Sequence, residues 1–322
     1  MTAGTSADAI ASAGVADEVR RYEQRQSAKT TVRRIGVFVV FLILLALLYT
    51  GYKAFGEALD DAQTTWPVVG SFLPRSDDLT MPPIRDIVAE IGEPLNRTDD
   101  KPLGAFVWEA ALFTAREAAF GFFFGLMFGI GIAVVLVRSR WLERGVSPYI
   151  AMSQTIPLVA IAPIVIIWGR TSLDWLPFEW QDWMSVAIIA AYLTFFPVAV
   201  NGIRGLHSAQ PEAFELMRSY AVKPRQELVR LRLPAAMPYL FSAFRLAATI
   251  AVVGAIVGEI SAGVPGGLGR LILDFAGRYT TGPERLYVSV GGAALLGILA
   301  FGLVALTQRF VRSARVREGE PL

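Results

Sequence analysis

Few residues in this chain of 322 could do covalent chemistry. It has no cysteine and one histidine, His207. That excludes a disulfide framework, a thiolate metal site and a cysteine nucleophile, and leaves almost no material for a histidine-based catalytic or metal centre. Neither a metal nor a cofactor is expected. No Gly-x4-Gly-Lys-Ser/Thr occurs, so the chain has no phosphate-cradling loop of the Walker type. The glycine-rich "GVPGGLGR" (263–270) lacks the lysine and reads as a flexible turn re-entering an apolar bundle. Carboxylates within the apolar stretches are too few and too scattered for paired acid–base work, so the chain is not expected to be an enzyme.

What remains is a set of polar groups inside apolar segments. Gln154, Thr155, Tyr192, Thr194 and Asn201 are followed by Arg245, Thr249, Glu259 and Ser261. An ionisable residue within a membrane segment is expensive to bury, which makes it a functional candidate. Arg245 and Glu259 stand fourteen residues apart. That is about 21 Å along a helix, too far to pair within one element. Each suits a translocation pathway or gate, with a structural partner on a neighbouring helix as the alternative. Gln154, Pro157 and Asn201 are further pathway candidates. Arg116 and Glu117, near the start of another apolar run, are expected to snorkel or pair there. Gly121, Gly125 and Gly129 recur at four-residue intervals, a spacing that lets helices approach closely in lipid.

The elements that must position these groups are membrane spans. Hydrophobic residues make up 54% of the chain and charged ones 18%, against about 25% charged in soluble domains. The mean hydropathy is +0.47. A run of roughly 20 apolar residues crosses a bilayer as a helix. Six candidates occur, near 35–55, 110–137, 147–169, 184–203, 236–261 and 286–308, the third containing Pro157 and Pro163. A polar tail over 1–34 carries no apolar core and is not a cleavable signal peptide. The first run follows Arg33-Arg34 and reads as an anchor.

The net charge of +2 matters less than where the charges lie. Segments 138–144, 204–232 and 309–317 are basic. The alternate segments are acidic: 57–105 has ten acidic and four basic residues, and 171–183 has Asp174, Glu179 and Asp182 with no base. Positive charge marks the cytoplasmic side, so both termini are expected inside and no nucleic-acid partner is expected. Within 57–105, Ile84, Ile87, Val88 and Ile91 follow Pro82-Pro83 at helical spacing. They predict a short amphipathic helix, either a contact for an external partner or a packed connector.

The inside segment "ELMRSYAVKPRQELVRLRLPAAMP" (215–238) is basic and amphipathic. Pro211 followed by Glu212 suits a helix start. A second short helix, "RQELVRLRL", then runs to Pro234, and the two form a hairpin joined at Ala221–Pro224. Its spacing resembles the cytoplasmic signature of permease subunits of ATP-binding-cassette importers: Glu-Ala-Ala, three residues, Gly, nine residues, Ile, one residue, Leu-Pro. Glu215-Leu216-Met217 occupies the first three positions, Ala221 the glycine and Leu231 the isoleucine, while Leu233-Pro234 matches outright. "GFFFGLMFGIGIAVVLVRSRWLERGVSPYIAMSQTIPLVAIAPIVIIWG", "AAYLTFFPVAVNGIRGL", "LPAAMPYLFSAFRLAATIAVVGAIVGEISAG" and "GGLGRLIL" resemble the nitrate, taurine and aliphatic-sulfonate subfamily, over roughly residues 80–312.

The resemblance implies an all-α polytopic fold of about six transmembrane helices, in a bacterial plasma membrane. It implies a coupling hairpin that seats on a cytoplasmic ABC ATPase dimer: Leu216, Met217 and Tyr220 would fill a cleft while Glu215 and Arg218 fix orientation. An extracytoplasmic solute-binding protein and a second permease copy, identical or related, are implied as partners. The solute would be a small anion such as a sulfonate or nitrate, or a vitamin-like precursor, moved by alternating access. Where Ala221 replaces glycine, a left-handed backbone would cost about 1 kcal/mol. The segment "RTSLDWLPFEWQDW" (170–183) is longer than the family leads one to expect. The chain divides into the tail 1–34, a first span 35–56, an external segment 57–105, a five-span core 106–312 containing 206–235, and a tail 313–322. A secondary transporter is the rival reading; it would show inverted repeats and interrupted helices, and only Pro157 and Pro163 hint at interruption.

Overall fold

The computed structural model describes residues 36–58, 77–96, 99–172 and 179–317, together with Arg33 and Pro177. The tail over 1–34, apart from Arg33, lies outside the described residues, as do 59–76 and 97–98 of the external segment, Asp174, and 318–322. Two compact units meet in sequence at Arg85 and Asp86. In the first, helix α1 (Gly36–Ala58) is an apolar span. Tyr49 Oη donates to the Pro82 carbonyl at 2.8 Å, and Lys53 Nζ reaches Asp78 Oδ1 at 2.6 Å and the Met81 carbonyl at 2.7 Å.

The second unit holds the bundle. Short helix α2 (Ile84–Glu90) leads to two paired strands, β1 (Pro94–Asn96) and β2 (Asp99–Pro102). Then come α3 (Leu103–Val137), α4 (Arg140–Ser153), α5 (Leu158–Ser172), α6 (Asp182–Leu206), α7 (Pro211–Ser219), α8 (Pro224–Glu227), α9 (Leu233–Ala262), α10 (Leu268–Gly277) and α11 (Pro283–Arg317). The amphipathic helix expected after Pro82-Pro83 is α2. Its Ile87 packs with Leu95 against a cluster of Leu103, Val107, Leu268 and Phe275, and Glu90 pairs with Arg285 at 2.7 Å. That face serves as a packed connector, while Val88 and Ile91 stay exposed.

Small residues set the helix spacing. A Cβ on Gly121 would run into Ala190, one on Gly125 would lie 2.6 Å from Thr194 Cβ, and one on Gly129 would lie 2.7 Å from Val198 Cβ. On α6 itself, a Cβ on Gly202 would lie 2.8 Å from Ala133. These pairs advance together four residues at a time, so α3 and α6 run parallel in close contact. Helix α9 runs against both: a Cβ on Gly254 would meet Ala190 Cα at 2.9 Å, and one on Gly258 would meet Val186 at 3.1 Å. Ala190 is held between Gly121 and Gly254 with no exposed surface. The bundle therefore has a hairpin end, where α6 passes through α7 and α8 into α9, and a far end, where α6 starts and α9 gives way to α10.

One expectation holds with a difference and another needs correction. Among the described residues five helices are long and apolar enough to span a membrane, and six if α4 and α5, bent by 96° at residues 154–157, count as the third expected span. Pro157 lacks the N–H that would continue the ladder to the Ser153 carbonyl, and it disfavours helical backbone at Ile156. The second hairpin helix, expected to end at Pro234, instead runs continuously from Pro224 to Ala262. A π-turn at Leu228–Arg232 makes this possible: the Leu233 N–H donates to the Leu228 carbonyl five residues back. This wider turn accommodates the Pro234 ring and its missing donor without a break.

Candidate functional site

The hairpin begins with Pro211 in the first turn of α7 and Glu212 beside it, where the helix dipole favours an acid. Helix α7 ends in paired bonds: the Ala221 N–H donates to the Arg218 carbonyl at 2.9 Å and the Val222 N–H to the Met217 carbonyl at 3.1 Å. This closure requires a left-handed residue next to the end, and Ala221 supplies it with φ 48°. The conformation is the one that glycine adopts without strain, so the departure at Ala221 carries the cost foreseen for it.

Arg232 fastens the hairpin to the bundle. Its Nε donates to Glu227 Oε1 at 2.8 Å, its Nη1 donates to the Leu206 carbonyl at 3.1 Å, and its guanidinium lies 4.6 Å over the Phe214 ring. One side chain thus joins α8, the end of α6 and α7, in the planar, multi-donor manner available to arginine and not to lysine. Ser208 Oγ adds a bond to the Ala235 carbonyl at 3.1 Å, and His207 Nε2 lies 3.0 Å from Glu143 Oε2 at the start of α4.

The residues of the signature divide by exposure. Leu216 is 59% exposed and Tyr220 75%, with Glu215, Arg218 and Ala221 exposed beside them. The side chains of Glu215 and Arg218 make no hydrogen bond or ion pair among the described residues. Met217 and Leu231 are half-buried, Pro234 is exposed, and Leu233 packs down against Ala133, Leu206, Ala236 and Leu240. One part of the signature therefore faces outward while Leu233 anchors it.

At the far end, Glu259 is wholly buried and doubly held. The Thr114 hydroxyl donates to its Oε1 at 2.7 Å while accepting from the Leu268 N–H at 2.9 Å, and the Gly269 N–H donates to its Oε2 at 2.5 Å. "GVPGGLGR" does re-enter the bundle, and its glycines are fitted. Gly263 and Gly266 have φ of 65° and 103°. A Cβ on Gly267 would overlap the Glu259 carboxyl, and one on Gly269 would stand 2.9 Å from Glu259 Cβ. Glu259 thus has the structural partners named as the alternative to a gate. Glu117 does not snorkel: it is wholly buried and faces Glu259, and neither of its oxygens meets a hydroxyl or N–H donor. Arg116, its neighbour, turns away and stacks over Phe113 and Trp183, at 4.8 and 4.4 Å from the ring centroids.

The other pathway candidates lie apart from this cluster. Gln154 caps α4 at the bend, exposed like Pro157. Asn201 Nδ2 donates at 2.8 Å to the Pro197 carbonyl on its own helix. Arg245 is half-buried, and its guanidinium has no hydrogen bond or ion pair among the described residues. Tyr192 donates its hydroxyl to the Ser153 carbonyl. The long segment 170–183 is stitched by Arg170 to Asp182 at 2.7 and 2.5 Å and by Trp180 Nε1 to Ser185 Oγ at 2.9 Å. Sequence reasoning passed over Thr114, Trp183 and the fastening role of Arg232. The first two touch residues 145 and 67 positions away, for which one sequence carries no signal.

Residues 125–316 match the family model described as binding-protein-dependent transport system inner membrane component. The chain is similar to the riboflavin transport system permease protein of Chloroflexus aurantiacus, with 31% identity over 64% of this chain and 72% of the relative. It is similar to the formylaminopyrimidine transport permease protein of Halalkalibacterium halodurans, with 33% identity over 59% and 71%. A permease ascribed to aliphatic sulfonate transport in Bacillus subtilis is 29% identical over 60% and 65%.

Proposed function

The chain belongs to the family of binding-protein-dependent transport inner membrane components, the multi-pass permease subunits of ABC importers, and from that premise we propose that its 211–234 hairpin is the coupling element for a separate cytoplasmic ATPase dimer. The observation that carries this is the unpartnered outer face of the hairpin. Leu216 and Tyr220 present apolar surface there beside the uncommitted charges of Glu215 and Arg218. Aromatic and aliphatic anchors flanked by charges that can form oriented hydrogen bonds suit docking into a protein cleft. Because α8 continues through the π-turn into α9, a push on the hairpin reaches Glu259 along one helix.

The basic segments flank the hairpin end, which supports a cytoplasmic position for the hairpin and for both termini. The far end then receives solute from an extracytoplasmic binding protein, and a second permease copy completes the pathway. The bundle switches access from one side to the other as the ATPases close. The solute is small, an anion such as a sulfonate or nitrate or a vitamin-like heterocycle, the classes carried by the relatives. Gln154, Pro157 and Arg245, exposed or half-buried, are the pathway residues this arrangement favours.

Co-purification with candidate ATPases, comparing the native chain with Glu215→Arg, tests the coupling role. The native chain should retain an ATPase that the folded variant loses. Failure of the native chain to retain any ATPase in mild detergent would remove the reading's main support.

A further inference from the structure

A second site lies at the far end of the bundle. Phe113 and Arg116 of α3, Arg170 of α5, Trp180, Asp182 and Trp183 line an open cavity of about 530 Å³, together with Val264 and Pro265. Its polar groups are nearly all committed. Arg170 and Asp182 neutralise each other through two bonds, at 2.7 and 2.5 Å. The Trp180 indole N–H donates to Ser185 Oγ at 2.9 Å, and that of Trp183 to Gln181 Oε1 at 2.6 Å. Glu117 is buried in the bundle and does not bond its neighbour.

Arg116 is the exception. Among the described residues its guanidinium has no ion pair and no side-chain hydrogen bond, only the ring faces of Phe113 and Trp183. Stacking between two rings fixes the guanidinium plane and leaves its N–H edge free to donate. A pre-oriented fork of donors, bonded to no acid among the described residues, matches a group with two or more acceptor oxygens and negative charge. The apolar walls leave room for a small organic remainder.

We propose that this Arg116 cup is a reception site for the oxyanion group (sulfonate, nitrate or carboxylate) of the solute that the permease moves. The inference rests on the permease reading for its direction, since the cup faces outward only if the hairpin faces the cytoplasm. It assigns anion recognition to Arg116, a residue that the sequence alone offered as snorkelling or paired.

The test is isothermal titration of the full-length chain in detergent with methanesulfonate, nitrate, acetate and riboflavin, without any ATPase. Saturable binding of at least one of the three anions is expected. Arg116→Gln should weaken it about tenfold or more, the scale of a lost charge-assisted bond. Arg116→Lys, which keeps charge and length but loses the planar fork, should weaken it too and serves as the comparison if the glutamine variant misfolds. Arg270→Gln removes a different cation at the same end, one paired with Asp274 at 3.1 Å, and should bind as the native chain does. The proposal is overturned if the native chain binds none of the anions, if Arg116→Lys binds them as tightly as native, or if riboflavin binds more tightly than all three. Because no ATPase is present, these outcomes are independent of whether the hairpin couples to one.

Discussion

The Tyr192 hydroxyl donates to the carbonyl of Ser153, the acceptor that Pro157 leaves without its helical donor. A residue of α6 thus repairs the ladder at the bend between α4 and α5, where the chain turns through 96°. Tyr192→Phe removes the donor and leaves the carbonyl bare, which costs about 1–3 kcal/mol. The variant should show a lower melting temperature in detergent and faster amide exchange at residues 154–156. Unchanged exchange there would mean that the bend holds without Tyr192.

Glu259 accepts from Thr114 and from the Gly269 N–H, and an amide cannot do both in the same orientation. Glu259→Gln turns an NH2 group toward one of them; the Thr114 hydroxyl can accept from it while donating to the Ala110 carbonyl at 3.1 Å, so the variant should cost no more than about 1 kcal/mol. Glu259→Ala should cost more, because Thr114 and the Gly269 N–H both lose their partner. Thermal unfolding of the two variants in the same detergent ranks them. An alanine variant as stable as the glutamine variant would show that these bonds are not what holds the turn.

Two glycines of α3 should respond to alanine with opposite signs. A Cβ on Gly131 meets nothing within 4 Å, so Gly131→Ala should stabilise the helix by about 0.5–1 kcal/mol. A Cβ on Gly125 stands 2.6 Å from Thr194 Cβ and 2.9 Å from the Ala191 carbonyl oxygen. Backbone cannot give way as a side chain can, so Gly125→Ala should destabilise by about 1–3 kcal/mol. Equal melting temperatures for the pair would contradict the close approach of α3 and α6.

Ala221 holds a left-handed conformation that glycine takes without a clash. Ala221→Gly should stabilise the closure of α7 by up to about 1 kcal/mol, while Ala221→Val should loosen it. Amide exchange at Ala221 and Val222, whose N–H groups close the turn, reads both effects. Slower exchange in the valine variant than in the glycine variant would overturn the assignment.

Much of this protein could be read directly from its residues. Runs of apolar residues fix the existence of the spans because only a helix satisfies its own backbone in lipid, and the basic segments fix which loops lie together. The spacing from Glu215 to Pro234 located the hairpin, and Ala221 in place of glycine announced its own strain. The four-residue interval of Gly121, Gly125 and Gly129 marked a packing face. All of these are local patterns, set by helix period, turn chemistry and the cost of polar groups in lipid.

The partners of those faces were decided only in three dimensions. Which helix the glycines meet, and that Ala190 is pinched between Gly121 and Gly254, depends on how α3, α6 and α9 pack together. Whether a proline breaks a helix depends on its surroundings: Pro157 leaves a bend that Tyr192 stabilises, while Pro234 is absorbed by a π-turn. The fates of Glu117 and Arg116 diverge for the same reason. Adjacent residues on a helix point about 100° apart, so one is buried against Glu259 and the other emerges between Phe113 and Trp183. A single chain read in order shows which residues are polar, but contacts between segments tens of residues apart determine which of them find a partner.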